Sequence, residues 1–488
     1  MDYGKVLKKE DIAYHSDSTD CWVIINGKVW DVSNYLYSHP GGADVIFCHA
    51  GKDASFTYNQ VHDAKLLERT LPATCFKGTV IEGVIPPTPQ DVKNESMNDN
   101  LTAEKSLPPL SSILSTHDLE EIARQHLSEK AWAYYSSAAT DLVSERANQS
   151  LWGRIWFRPR ILRNVRNVVT ERQIQGVRTS VPFYVAPAAM ARLAHDDGEL
   201  AISKACADNG VVQCICINAS YQLEDIVNTA PPGTPFFFQL YVNKSRTATE
   251  ALLKRVWDAG IRVLFLTVDA PVPGKREADE KVKTSAMIKT PMTGTQSAND
   301  NRGSGLTRIM GTYIDDQLDW NDLQWLRKIW KGQVILKGVQ SVEDAIMAVK
   351  AGVDGITLSN HGGRNLDTSP PGLMVLLELR KFHPQVFDRI QVHLDGGIRR
   401  GTDILKALCL GATSVSLGRP FLYSVLYGEQ GVHHLIQILK EELETAMRLV
   451  GITDLSQVSS KFVNTKDLDN LVVDSIVEGD ESVLKSKI

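Results

Sequence analysis

The stretch QVHLDGGIRRGTDILKALCLGATSVSLGRP, residues 391–420, decides the fold. Two short apolar runs, QVHLD and SVSLG, flank a segment, GTDILKALCLGA, whose apolar residues recur at helical spacing. Strand, glycine turn, helix and second strand in that order make one unit of a parallel sheet, because only a crossover brings the second strand back in the same direction.

Working outward, the unit recurs. VPFYVAP, VVQCIC, FFFQLY, RVLFLTVDA, QVILKG and DGITLSN begin at residues 181, 211, 236, 262, 333 and 354. These runs are apolar throughout instead of alternating, as strands covered on both faces are. Eight such strands separated by helices predict an α/β fold, a TIM (β/α)8 barrel with its site at the C-terminal ends of the strands. The interval between the fourth and fifth runs holds roughly 40 extra residues, including KTPMTGTQSANDNRGSG, and a mobile lid is expected there.

Ahead of the barrel, IPPTPQDVKNESMNDNLTAEKSLPPL gathers prolines, asparagines and acids without periodicity and reads as an exposed linker. The expected division is an N-terminal unit over 3–82, a linker over 83–110, the barrel over 111–465 and a tail over 466–488. Lysines and arginines total 53 against 58 acids, a net charge of -5 without a basic block, so nucleic acid is not an expected partner. No run of about eighteen apolar residues occurs, which predicts a soluble chain with no membrane partner. Seven cysteines without C-x-x-C spacing suit a reducing compartment. The first residues show no leader, so the expected location is cytoplasmic, with the mitochondrial intermembrane space as the alternative.

Strand ends carry the chemistry of such a barrel. The sixth run leads into Ser359-Asn360-His361-Gly362-Gly363-Arg364. An imidazole as base and a guanidinium as a fork for a carboxylate suit a 2-hydroxy acid, although His361 alone is as readily a structural histidine. After the fourth run, Asp269 would fix the tautomer of that histidine, or else serve as a helix cap or turn residue. The seventh and eighth runs end in Asp395-Gly396-Gly397-Ile398-Arg399 and Gly418-Arg419, where freed amides beside arginines suit a phosphorylated cofactor. No G-x-G-x-x-G follows the first strand, which disfavours a dinucleotide site. Lys337, ending the fifth run, would stabilise a reduced flavin from the same mouth or simply snorkel at a strand end.

In the N-terminal unit, His39-Pro40-Gly41-Gly42 precedes His62 by 23 residues, and both histidines are expected in short helical stretches. Two imidazoles on opposite faces of a macrocycle would close both axial positions of its iron and restrict it to single-electron traffic. Read alone, HPGG is equally a turn and His62 a surface histidine. Zinc-finger spacing is lacking.

CWVIINGKVWDVSNYLYSHPGG, GKDASFTYNQVH and FKGTV resemble the cytochrome b5 heme-binding domain, which implies a small α+β unit carrying heme b on His39 and His62. AWAYYSSAATD, YVAPAAM, FFFQLYV, LTVDAP, ILKGV, SNHGGRNLD, DGGIRRGTDILKALCLGA and SLGRPF are similar to the FMN-dependent 2-hydroxy-acid dehydrogenases and oxidases. That resemblance implies His361 as the base and Asp269 as its partner. It implies Arg364 and Tyr134 on the substrate carboxylate, with Tyr135 offering the same chemistry beside Tyr134. Tyr241 falls near the substrate hydroxyl, and Arg276 approaches the substrate. FMN is implied to contact Ala186, Pro187, Ala188 and Ala189, then Cys216, Gln239, Thr267, Lys337, Ser359, Asp395, Gly396, Gly397, Arg399, Gly418 and Arg419.

Two departures from the family pattern stand out. Cys216 replaces a hydroxyl with a weaker donor. Asn218 falls where an apolar residue bounds the substrate side chain, so the pocket is expected to be more polar than one shaped for a methyl group. Lactate is the first candidate substrate, with mandelate and glycolate as alternatives. A fused heme unit favours a dehydrogenase feeding cytochrome c over an oxidase feeding oxygen, and a non-catalytic heme electron-transfer module is the alternative in kind. Glu10, Asp11 and Asp31 would steer a basic partner. The family resemblance implies a homotetramer.

Overall fold

The computed structural model describes residues 6–39, 43–47, 49–55, 58, 62, 66–80, 106–283, 288–296 and 305–474. Most of the expected linker, the end of the tail and parts of the expected lid lie outside the described residues. The chain divides into two compact units between residues 103 and 104.

In the first unit, β1 (Val6–Leu7), β2 (Ser16–Asp17), β3 (Asp20–Ile25), β4 (Lys28–Asp31) and β5 (Phe76–Val80) form one sheet in the order β1-β5-β4-β3-β2. Asn26-Gly27 joins β3 to β4 with φ of 52° and 74°, the two-residue turn whose twist matches antiparallel strands. Cys21, Val23, Ile25, Trp30 and Leu36 cover one face of the sheet together with Ile46, Tyr58, Leu67 and Phe76. His39 follows a single 3₁₀ turn, Leu36–Ser38, in extended backbone, and so lies beyond a helix end and not inside a helix. Asp31, expected as part of a steering patch, is paired with Lys77 at 3.1 Å.

In the second unit, β6 (Phe183–Val185), β7 (Gln213–Cys216), β8 (Phe236–Leu240), β9 (Val263–Thr267), β10 (Gln333–Val339), β11 (Gly355–Leu358), β12 (Gln391–Asp395) and β13 (Ser414–Leu417) close into a barrel in chain order, every pairing parallel. Each connection from β6 to β13 carries a helix, from Gly198–Asn209 in the first to Gly401–Cys409 in the last. The strands are buried along nearly their whole length, so burial on both faces explains why they read as continuous apolar runs.

Tyr184, Cys214, Phe237, Phe265 and Ile335 fill the barrel interior with Ile174, which comes from a hairpin ahead of β6. Beside Ile174, Gln175 meets His393 of β12 at 2.9 Å, and His393 reaches Ser414 at 2.8 Å. Burial pushes the His393 imidazole down to about 3, so it sits neutral in this floor. The floor closes the N-terminal mouth and leaves the C-terminal mouth as the place for a ligand. No helix among the described residues is long and apolar enough to cross a membrane.

Candidate active site and heme site

Beyond β11 the chain turns sharply. His361, Gly362 and Gly363 have φ of 58°, 66° and 76°, a left-handed run that glycine takes freely and histidine only when its surroundings hold it. Asn360 Oδ1 accepts the Gly363 N–H at 3.1 Å, and Ser359 Oγ accepts the His361 N–H at 3.0 Å. The turn aims the imidazole into the mouth. Asp269, two residues past β9, is wholly buried behind it and lies 2.8 Å from His361 Nδ1.

An ionised carboxylate only accepts, so Nδ1 carries the proton and Nε2 keeps a lone pair, 3.4 Å from Tyr241 Oη. Burial lowers the His361 pKa, with Asp269 opposing, so the imidazole is neutral and able to accept a proton. Burial would raise Asp269, but His361 and Lys337 outweigh it and hold the carboxyl below its ordinary value.

Three guanidiniums meet at this mouth. Arg364 gives three of its five N–H groups to the backbone carbonyls of Tyr134, Tyr135 and Ser137, each at 2.8 Å, which leaves Nε–H and one Nη2–H. Arg276 is fixed by the Arg364 carbonyl at 3.0 Å and by Thr307 at 2.7 Å. Arg419 binds the carbonyls of Tyr135, Ser137 and Gly362, each at 3.2 Å. None of the three has a carboxylate of a described residue within ion-pairing distance. Burial, then Arg276 and Arg419, push the Arg364 pKa well down. An anion would relieve that stress. Tyr135 donates its hydroxyl to the Met190 carbonyl at 2.6 Å, and both Tyr134 and Tyr135 line the mouth.

Every candidate flavin and substrate residue except Asp269 and Ser359 lines one cavity open at the C-terminal mouth of the barrel. Those two stand directly behind it, Asp269 on His361 and Ser359 on Lys337 Nζ at 3.2 Å. Lys337 also reaches Asp395 at 3.0 Å. Although burial pulls Lys337 down, Asp395 and Asp269 outweigh it and hold it above its ordinary value, so a positive charge is fixed at the cavity floor. Gln239 donates to Thr267 Oγ1 at 2.9 Å and accepts from the Cys216 thiol at 3.3 Å, which fixes the direction of its amide. Burial pushes Cys216 up to about 12, so the thiol keeps its proton and remains a donor.

The phosphate end differs from expectation in one respect. Arg399 points its guanidinium at Glu120, 3.0 Å away, and the amides of Arg399 and Arg400 are capped by Asp403 at 3.1 Å. Arg419, by contrast, has no carboxylate partner among the described residues. Gly397 serves close packing as well, since a Cβ there would lie 1.8 Å from the Asn148 carbonyl. Asp395 Oδ1 and Asn148 Oδ1 are buried without a hydrogen-bond partner among the described residues and border the same cavity. Unmatched buried polar atoms around such a cavity fit a polar cofactor.

The strand-end reading does not reach Asn148, Thr307 or Tyr313. They come from a helix, Val143–Ser150, and from the stretch after β9, where no strand period marks them.

In the first unit the rings of His39 and His62 stand 5.9 Å apart at a tilt of 51°. Imidazole nitrogens bind transition metals at about 2.0–2.1 Å, so one ion between the rings fits this separation. His62 Nδ1 is buried with no hydrogen-bond partner among the described residues, and the Tyr58 ring stacks on His62 at 4.8 Å. The pair fits a heme iron.

Together the two units define an oxidoreductase with a flavin barrel and a heme module of its own. Residues 123–465 match the FMN-dependent dehydrogenase family, and residues 8–81 match the cytochrome b5-like heme/steroid binding domain. An L-lactate dehydrogenase (cytochrome) of Wickerhamomyces anomalus is 39% identical over 470 residues, covering 96% of this chain and 81% of that one. One of Saccharomyces cerevisiae is 40% identical over 475 residues, covering 95% and 80%. Among solved structures, a doubly substituted flavocytochrome b2 with pyruvate bound superposes with a TM-score of 0.68 at 40% identity, covering 76% of this chain and 91% of that one. The chain belongs to the FMN-dependent dehydrogenase family, with a cytochrome b5-like domain in front, and its cofactors are FMN and heme b.

Proposed function

We propose that the chain oxidises L-2-hydroxy acids, L-lactate among them, to the 2-keto acids, and delivers the electrons through FMN and heme b to cytochrome c. One observation carries the reading. A histidine lone pair fixed by a buried aspartate opens into the same cavity as three guanidiniums that have no carboxylate partner among the described residues. That is a proton acceptor beside an anion receptor, which is what a hydroxyl and a carboxylate on adjacent carbons require.

In this reading Arg364 meets the carboxylate with its two remaining N–H groups, and Tyr134 and Arg276 complete the receptor. The substrate hydroxyl then faces His361 Nε2, which takes its proton, while Asp269 stabilises the imidazolium that results. Tyr241, 3.4 Å from Nε2, borders the same oxygen. FMN, when bound, supplies the acceptor for the electron pair. Its phosphate end falls to Arg419, its ring to Lys337, Gln239 and Thr267, and the heme iron to His39 and His62. Two relatives named for cytochrome-linked lactate oxidation match over both units, which supports the protein acceptor. The homotetramer implied by the family belongs to the same proposal and is checked by sedimentation.

Anaerobic mixing of the holoenzyme with excess L-lactate should bleach the flavin and reduce the heme, three electrons in all, with three pyruvates formed for every two flavins. Hydrogen peroxide in air with no cytochrome c reduction would replace this reading with an oxidase.

A further inference from the structure

Asn218, two residues past β7, lines the cavity with His361, Tyr241 and Arg276 and is only 2% exposed. Its Oδ1 accepts the Tyr313 hydroxyl at 3.1 Å, and its backbone N–H reaches Cys216 Sγ at 3.4 Å. Its Nδ2 donates to no described residue. Turning the amide over would exchange the two atoms and leave Oδ1 for the cavity instead, so in either orientation one polar atom of this wall is uncommitted.

Tyr313 comes from the stretch between β9 and β10 and is itself buried. Burial pushes its hydroxyl pKa up, so it keeps its proton and its grip on Asn218. It lies near enough to Tyr241 to act on that phenol electrostatically, and Tyr241 stands 3.4 Å from the His361 lone pair. The amide thus borders the space for the substituent on the reacting carbon.

A methyl group pressed against this wall would leave the amide unmatched, whereas a hydroxyl both donates and accepts and would match either orientation. We propose that Asn218, held in place by Tyr313, selects 2-hydroxy acids whose side chain carries a hydrogen-bonding oxygen, the 2,3-dihydroxy acid class, over those ending in a methyl group. The inference rests on the reading of this cavity as the hydroxy-acid site.

The test is anaerobic flavin reduction by L-glycerate and by L-lactate in the holoenzyme and in the Asn218→Leu and Tyr313→Phe variants. We expect glycerate to be preferred in the unaltered enzyme, and the glycerate-to-lactate ratio of specificity constants to fall about tenfold or more in Asn218→Leu. Tyr313→Phe keeps the amide and frees it, and should lower the same ratio by a smaller factor, which serves if the leucine variant does not fold. Flavin bleached by both acids with lactate preferred, and a ratio unchanged in both variants, would overturn the selection by Asn218 alone. Flavin bleached by neither acid would overturn the hydroxy-acid reading and this inference with it.

Discussion

The barrel mouth and the histidine pair of the first unit solve different problems with very different numbers of residues. At the mouth, a proton and a carboxylate must be handled, and the chain supplies an ordered polar network. Asp269 sets His361, Ser359 sets both the His361 amide and Lys337, and Thr267 sets Gln239. In the first unit a macrocycle would bring its own chemistry, and two imidazoles 5.9 Å apart over a small apolar core are enough. Substrate chemistry demands groups fixed in tautomer and charge, whereas electron relay demands only that an iron be held and shielded.

If that division holds, the two sites break separately. The largest effect is expected for His39→Ala: cytochrome c reduction falls to background while L-lactate still bleaches the flavin at the original rate, as a stopped-flow record at both wavelengths would show. Asp269→Asn should come next. An asparagine can offer its amide N–H to Nδ1 and so favour the wrong tautomer, and flavin reduction should slow by about 10²–10⁴-fold with heme content unchanged.

A milder effect is expected from pH. Burial lowers the His361 pKa, so the base form is fully present above that value and is lost as pH falls through it. The rate of flavin reduction should be flat through neutrality and drop tenfold per unit on an acid limb whose midpoint lies below the ordinary imidazole value of about 6.5. The same limb should persist in His39→Ala, since the heme unit plays no part in it.

Much of this was legible in the sequence, for reasons that differ by element. The barrel strands were, because double burial leaves runs such as RVLFLTVDA with no polar alternation to confuse. The position of His361 and Arg364 at the mouth was, because they directly follow an apolar run that the barrel pattern ends there. The partners of the arginines were not. Arg364 and Arg419 are held by backbone carbonyls, which no residue type announces. The pairing of Arg399 with Glu120 depends on a helix nearly three hundred residues earlier in the chain, which no local pattern reaches. Asn218 was recognised as out of place, but Tyr313, which gives it a fixed position, sits in an irregular stretch where no periodicity points.

The most direct test of the barrel chemistry is the single-turnover rate of flavin reduction by saturating L-lactate in His361→Gln, with pyruvate affinity measured alongside. We expect the rate to fall at least about 10³-fold while pyruvate binding, flavin content and heme content stay as they are. A rate within tenfold of the unaltered enzyme would contradict the assignment of His361 as the base.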